Sequence, residues 1–327
     1  MQNNSIILIT GGTGSFGQMF VSMALKKLKP KKIIIFSRDE QKQDEMCKKF
    51  NDSRLRFFIG DVRDKDRLYR ALDGVDYVIH AAALKIVPTS EYNPFETIKT
   101  NIIGAMNVID TCLDRKVKKV VALSTDKASA PINLYGATKM ASDKLFIAAN
   151  NYSGKNKTIF SIVRYGNVMG SRGSVIPLFL KLKESKEFPL TNKKMTRFMI
   201  TLEQGVNLVF ETFDQMKGGE IFVKKIPSMK VLDIAKAINT NSKIKVIGVR
   251  PGEKIHEQMI SEDESIYTYE YKNYFKILPA INDWFKDKKR IGKGIKVKKN
   301  FSYNSLNNEN YMTIEELKKW ISSNFNS

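Results

Sequence analysis

The stretch Ile6-Ile7-Leu8-Ile9-Thr10-Gly11-Gly12-Thr13-Gly14-Ser15-Phe16-Gly17 decides the fold. Its opening apolar run, rich in β-branched residues, reads as a short strand buried on both faces. Gly11, Gly14 and Gly17 follow at once in a G-x-x-G-x-x-G pattern, and a helix-like stretch, Phe16–Leu28, starts inside it. Glycines at such a turn let the backbone reverse sharply and come close to a pyrophosphate. The free N–H groups of the following helix then face the phosphates. A glycine pattern alone is weak evidence. Set between a first strand and a first helix it becomes specific for a dinucleotide, with Thr13, Ser15 and Phe16 completing the cradle.

Outward from this turn the same rhythm repeats. Ile33–Phe36, Leu55–Ile59, Tyr77–Ile79, Val120–Leu123 and Ser161–Arg164 are short, apolar runs that read as buried strands. Helix patterns such as Lys65–Leu72 and Thr97–Leu113 lie between them. Strand and helix in alternation mean an α/β fold, and right-handed crossovers make it a doubly wound parallel sheet of Rossmann type. After about residue 170 the loops lengthen. Glu220–Val223 and Ile244–Ile247 read as strands, Thr201–Met216 as a helix capped by Thr201, and Met312–Ser322 as a helix capped by Thr313. This divides the chain into a dinucleotide-binding domain, 1–170, and a smaller, mainly substrate-binding domain, 171–327, with crossings back to the first.

Composition narrows the function. In 327 residues, 42% are hydrophobic and 27% charged, which suits a globular protein with a sizeable core. No signal peptide or membrane span is visible, so a cytoplasmic protein without membrane association is expected. Two cysteines, Cys47 and Cys112, lack metal-ligand spacing and read as free thiols. Two histidines, His80 and His256, are too few for a histidine-rich metal site, so no metal is expected. The net charge of +21 raises nucleic acid as a partner. The lysines are spread along the whole chain, however, and the one dense run, Lys286–Lys299, carries no stacking aromatics. A lysine-rich surface that attracts anionic nucleotides is the simpler reading.

The residues after each strand suggest the ligand. Ser37-Arg38-Asp39 follows the second strand. A carboxylate there would bind the ribose 2′-hydroxyl of NAD, whereas serine and arginine favour the 2′-phosphate of NADP. A charge-assisted bond from Arg38 is worth about 1.5–3 kcal/mol, and Lys42 adds to it. Asp61-Val62, after the third strand, would flank the adenine. Ala81, Ala82 and Ala83, after the fourth, leave room for the cofactor, although tight packing explains them as well.

Ser124-Thr125-Asp126-Lys127 follows the fifth strand, and Tyr135 and Lys139 come soon after. A spacing of four places Tyr135 and Lys139 on one helix face. A phenol of pKa about 10 must drop roughly three units, about 4 kcal/mol, to act as a base near neutrality. Lys139 and a nicotinamide cation are the groups that would favour phenolate.

These residues resemble the extended short-chain dehydrogenase/reductase superfamily over nearly the whole chain. More narrowly, the chain is similar to the soluble inverting UDP-N-acetylglucosamine 4,6-dehydratases, which open pseudaminic acid synthesis. The resemblance rests on the glycine loop, Ala81–Ala83 with Lys85, Glu91-Tyr92-Asn93-Pro94 and Ser124–Ala128. It rests also on Pro131–Lys139 (PINLYGATK), Arg164–Arg172 (RYGNVMGSR), Met195–Phe198 (MTRF) and Arg250–Glu257 (RPGEKIHE). Retaining, usually membrane-anchored relatives carry methionine where Tyr135 stands. One departure is Ile86, where relatives usually have histidine.

The resemblance implies a role for each residue. Tyr135, supported by Lys139, takes the O4 proton, and Thr125 hydrogen-bonds O4. Asp126 is the acid at O6 and Lys127 the base at C5, for which Lys127 must be neutral. Arg250 and Glu253 resemble the pyrophosphate and ribose contacts, with Arg197 and Arg172 as further phosphate ligands. Asn167 resembles the substrate-binding asparagine, and Lys85 and Glu91 face the sugar, Lys85 touching cofactor as well. His256 is read as packing or capping. The implied enzyme is a homo-oligomer, a hexamer being one form the resemblance suggests, that recycles NADP and acts on UDP-N-acetylglucosamine in a surface-sugar pathway such as flagellin glycosylation. A UDP-sugar 4-epimerase needs only the tyrosine–lysine pair and is the alternative enzyme. A non-catalytic NADP- or RNA-binding member of the fold is the alternative of another class.

Overall fold

The computed structural model describes residues 1–171, 173–185, 187–241 and 243–325. Six parallel strands form its centre: β1 (Ile6–Thr10), β2 (Lys32–Ser37), β3 (Leu55–Ile59), β4 (Tyr77–His80), β5 (Lys119–Thr125) and β6 (Ile159–Tyr165). Their order across the sheet is 3-2-1-4-5-6. Ile7, Leu8 and Ile9 of β1, Ile33 and Ile35 of β2 and Val120 and Val121 of β5 are fully buried. Burying each such side chain contributes about 1.5–3 kcal/mol. The order reverses between β1 and β4, and in such sheets the crevice beyond the strands' carboxyl ends receives the ligand.

The sheet does not stop at β6. Ile221–Lys224 adds a seventh parallel strand beside it. Tyr274–Ile277, Thr268–Glu270 and Ile295–Lys296 then continue it antiparallel, giving ten strands in all. These last three strands escaped the sequence reading because each is short and partly polar.

A second core forms beyond residue 165. Met169, Phe179, Phe188, Met195, Met199 and Met229 are buried there together, with Leu317 and Ile321 of the C-terminal helix Ile314–Phe325 closing it. Phe179 and Phe188 stack with centroids 4.9 Å apart.

Capping follows the residues expected. Thr201 and Gln204 form a reciprocal capping box on the helix Leu202–Gln215, with bonds of 3.0 and 3.1 Å. Thr313 and Glu316 do the same for the C-terminal helix, at 2.8 and 3.2 Å. The pattern Thr97–Leu113 is not one regular helix: Pro94–Ile98 and Gly104–Asp114 are α-helical, and Lys99–Ile103 between them is a π-turn.

Candidate active site

A cavity of about 930 Å³ opens at the carboxyl ends of the central strands. Its first wall is the glycine loop: Gly11, Thr13, Gly14, Ser15, Phe16 and Gly17 all line it. Gly11 sits at φ +66°, and a Cβ there would come within 3.0 Å of the Ala82 backbone. A Cβ on Gly17 would lie 2.2 Å from the Gly12 carbonyl oxygen. The loop can therefore fold tightly only as glycine. Gly14 caps the helix Ser15–Lys27 without a side-chain bond, which leaves the helix's positive end to an anion.

Opposite this loop, Thr10 fixes the turn after β4. Its Oγ1 accepts the N–H groups of Ala81 and Ala82 at 3.1 and 3.2 Å. The Thr10 hydroxyl therefore donates to His80 Nδ1, 2.9 Å away, and the His80 proton sits on Nε2. Burial, then the Lys139 charge, pull His80 down to about 3, so the ring is neutral. Ala81, Ala82 and Ala83 line the cavity.

At the far end lie Ser37, Arg38, Lys42, Asp61 and Val62. Asp39, the one carboxylate that argued for a free ribose hydroxyl, caps the helix Glu40–Phe50 through Lys42 N at 3.0 Å and pairs with the Lys42 ammonium. Ser37 Oγ accepts from Thr13 Oγ1 and Gln43 Nε2 at 3.2 and 3.0 Å. Asp61 is held by Arg63 at 2.7 Å, and Arg38 reaches it only at 3.5 Å. The Arg38 side chain is 55% exposed, so its guanidinium remains available to a phosphate. Tight glycine turn and positive helix end together suit the diphosphate of a dinucleotide.

The chemistry end gathers Thr125, Asp126, Lys127, Tyr135 and Lys139 along one wall. Asn133 caps the helix Leu134–Ala148 by accepting Gly136 N at 2.7 Å, which aims Tyr135 and Lys139 inward. Burial pushes the Tyr135 phenol up to about 12, against the smaller lowering effects of the Lys127 charge and a Thr125 hydrogen bond. Burial also lowers Lys139, with the Asp143 carboxylate resisting. Lys139 thus does not by itself bring the phenol toward neutrality.

Asp126 is 1% exposed. Its Oδ1 accepts from Thr125 Oγ1 at 3.0 Å and from Lys127 Nζ at 3.1 Å, while Oδ2 is buried without a protein partner. Burial raises its pKa, although the Lys127 charge opposes this. For Lys127, burial lowers the pKa, but the Asp126 and Glu257 carboxylates more than offset it. The balance raises the Lys127 pKa, which favours the ammonium form over the neutral amine that a base requires.

Glu257 was missed in the sequence. It lay inside the Arg250–Glu257 motif, but no spacing rule joins it to Lys127, 130 positions away in the chain. In the fold its Oε1 stands 2.9 Å from Lys127 Nζ. A row of alternating charges results: Arg250–Glu253 at 3.0 Å, Glu253–Arg197 at 3.6 Å, Arg197–Glu257 at 3.7 Å, then Glu257–Lys127 and Lys127–Asp126. All six side chains line the cavity.

Lys85 and Asn167 also line the cavity; burial lowers Lys85, and Asn167 Oδ1 is buried without a partner. Glu91 does not line it. Instead its carboxylate accepts the Leu134 N–H at 2.7 Å, because a helix's first N–H groups need acceptors from outside it. Glu91 thus supports the Tyr135 helix rather than facing the sugar. Arg172 lies outside the described residues. His256 Nδ1 bonds Thr196 Oγ1 at 2.8 Å, a packing contact. Among the described residues no cluster of metal-ligating side chains occurs, and no helix is long and apolar enough to cross a membrane.

Sheet order, glycine loop and the Tyr135–Lys139 helix define an enzyme of the extended short-chain dehydrogenase/reductase class. Residues 7–279 match the family described as polysaccharide biosynthesis protein, and the chain belongs to that family. It is 57% identical over 324 residues to the inverting UDP-N-acetylglucosamine 4,6-dehydratase of Campylobacter jejuni, covering 97% of each chain. A UDP-glucose 4-epimerase of Rickettsia bellii is 47% identical over 279 residues, covering 83% of this chain and 82% of its own. The X-ray structure of Pen from Bacillus thuringiensis superposes with a TM-score of 0.88 at 39% identity, covering 98% of this chain and 99% of that one.

Proposed function

We propose that this enzyme is an inverting UDP-N-acetylglucosamine 4,6-dehydratase that uses NADP. Its product would be UDP-2-acetamido-2,6-dideoxy-β-L-arabino-hex-4-ulose. The observation that carries this reading is the pairing of buried Asp126 with partly exposed Lys127 beside Tyr135, with Nζ 3.1 Å from Oδ1. An epimerase needs no second acid and base. The Rickettsia relative keeps epimerisation in view as the rival activity, and a keto-deoxy product separates the two.

The glycine loop Gly11–Gly17, Arg38 and Ala81–Ala83 would hold the cofactor, whose nicotinamide would supply the hydride chemistry, oxidation at C4 and reduction at C6. Tyr135 accepts the O4 proton, with Thr125 orienting that oxygen. A ketone at C4 acidifies the C5 hydrogen. Lys127 must then be neutral and Asp126 protonated. One proton moved from Nζ to Oδ1, over 3.1 Å, produces both forms together. Lys127 takes the C5 proton while Asp126 protonates the C6 hydroxyl, which leaves as water. Reprotonation of C5 from the opposite face inverts that centre. Arg250, Arg197 and Glu253 suit the diphosphate and ribose, and Asn167 the substrate.

In this reading residues 1–170 mainly hold cofactor and 171–327 mainly the UDP-sugar. The enzyme works in the cytoplasm as a homo-oligomer, toward pseudaminic acid. The test is incubation with UDP-N-acetylglucosamine in deuterated water, followed by proton NMR, with the bound cofactor extracted and identified by mass. Expected are a 4-keto-6-deoxy product, inverted and deuterated at C5, and NADP. Retained C5 would overturn the inverting reading, epimerised UDP-sugar would favour the rival enzyme, and NAD would overturn the cofactor assignment.

A further inference from the structure

Resting on the dehydratase reading, we propose that Glu257 is a positioning residue for the elimination step. Its carboxylate anchors Lys127 Nζ against Asp126, and its charge sets the pH range over which that pair shares one proton.

The geometry supports both parts. Glu257 is 2% exposed, and a carboxylate so buried is retained only where it is paired. Its Oε1 is 2.9 Å from Nζ, and its Oε2 is buried without a protein partner. The backbone holds it from outside the cleft: Glu257 N donates to Ser305 Oγ at 2.9 Å, and Ser305 N donates to the Glu257 carbonyl at 2.8 Å. Lys127 Nζ is thus gripped from two sides, by Asp126 from the end of β5 and by Glu257 from the segment before Gln258–Ile260.

The active form of the pair carries one proton between Asp126 and Lys127. With two protons Lys127 cannot accept from C5; with none Asp126 cannot donate to O6. The limits of that window belong to the pair as a whole. They are moved by every charge that faces it. Glu257 raises both partners. Arg197, from the strand Thr196–Ile200, opposes it at Lys127. Lys254, in the turn before Glu257, is coupled to Asp126 and to Glu257, and Lys85, beyond β4, is coupled to Lys127. Tyr135, from its helix, also faces Lys127 and Asp126. Removing the Glu257 charge therefore lowers both limits in the same direction. A side chain that merely filled space would leave them where they are.

The experiment compares wild type, Glu257→Gln and Glu257→Asp in two readouts. Cofactor reduction on mixing with UDP-N-acetylglucosamine reports C4 oxidation. Keto-deoxy product formation across pH reports elimination. Glu257→Gln should reduce cofactor within about 3-fold of wild type yet form product at least about 10-fold more slowly. Its product profile should move to lower pH by about one to three units on both limbs. Glu257→Asp should restore the profile's position while product stays slow. An unmoved profile in Glu257→Gln overturns the inference, as does equal slowing of both readouts. Should the amide variant fail to fold, Glu257→Asp decides: slowed product with normal cofactor reduction supports the role, and equal slowing or none overturns it. Failure of wild type to make the keto product would instead remove the dehydratase reading itself.

Discussion

Tyr135 is held up at about 12 by burial, so its base role depends on what stands beside it. Thr125 and the Lys127 charge are the neighbours that lower it. Tyr135→Phe should abolish cofactor reduction by at least about 100-fold, whereas Asp126→Asn should allow reduction and block product; stopped-flow absorbance and NMR on the same samples separate the two. The four-residue spacing of Tyr135 and Lys139 was legible in the sequence, because helix geometry alone sets it. The charge state of Lys127 was not, because it depends on Glu257, a partner supplied by tertiary structure. His80 has no role assigned from sequence beyond the count of histidines, yet it pins the turn after β4 through Thr10. Its folded value of about 3 lies below the ordinary 6.5. The unfolded chain therefore binds the extra proton between those values, and stability present above pH 6.5 is lost as pH falls toward 3. By about pH 4 the loss from this ring is about 3 kcal/mol. Urea unfolding of His80→Gln should show an acid loss smaller by about that amount, and an identical loss would sever His80 from acid stability.

The element between residues 94 and 114 shows where periodicity misleads. Apolar spacing there fits one helix, but the residues Lys99–Ile103 form a π-turn, and a single extra residue in a turn barely disturbs such a pattern. The turn delivers Asn101 inward. Its Oδ1 accepts Leu84 N at 2.9 Å, and its Nδ2 donates to Leu84 O at 2.9 Å and Thr138 Oγ1 at 3.0 Å. Asn101 therefore ties the segment carrying Lys85 to the helix carrying Tyr135. Asn101→Ala strands both polar groups of Leu84, at a cost of about 1–3 kcal/mol. Chemical denaturation should register that loss, and KM for UDP-N-acetylglucosamine should rise as Lys85 loosens. Unchanged KM with full destabilisation would confine Asn101 to a structural role. The elements on either side were easier to anticipate: β1 and β2 each hold four consecutive apolar residues, Ile6–Ile9 and Ile33–Phe36, and the Thr201 and Thr313 caps have their partners three residues on.

Across the whole molecule, the six central strands could be assigned to one doubly wound parallel sheet from sequence because βαβ connections leave few options. The antiparallel extension could not, since strands of two to four residues carry little pattern. It does give the basic run at 286–299 a place: part of it, Ile295–Lys296, is the sheet's outer strand, and lysines there discourage further strand addition. A different surface is apolar. Tyr92 is 88% and Phe95 77% exposed, and Ile103, Met106 and Met140 are exposed on the neighbouring helices. Large apolar side chains exposed on adjacent elements are what an association surface requires. On the homo-oligomer reading, two copies would bury this face against each other, and Phe95→Glu would set a desolvated charge in the contact. Sedimentation velocity should then show wild type as an oligomer and Phe95→Glu as a smaller species. Because Phe95 is so exposed in the single chain, the variant should keep its wild-type fold by circular dichroism. A wild type that sediments as a monomer would leave this face to a different partner and remove the oligomer from the reading.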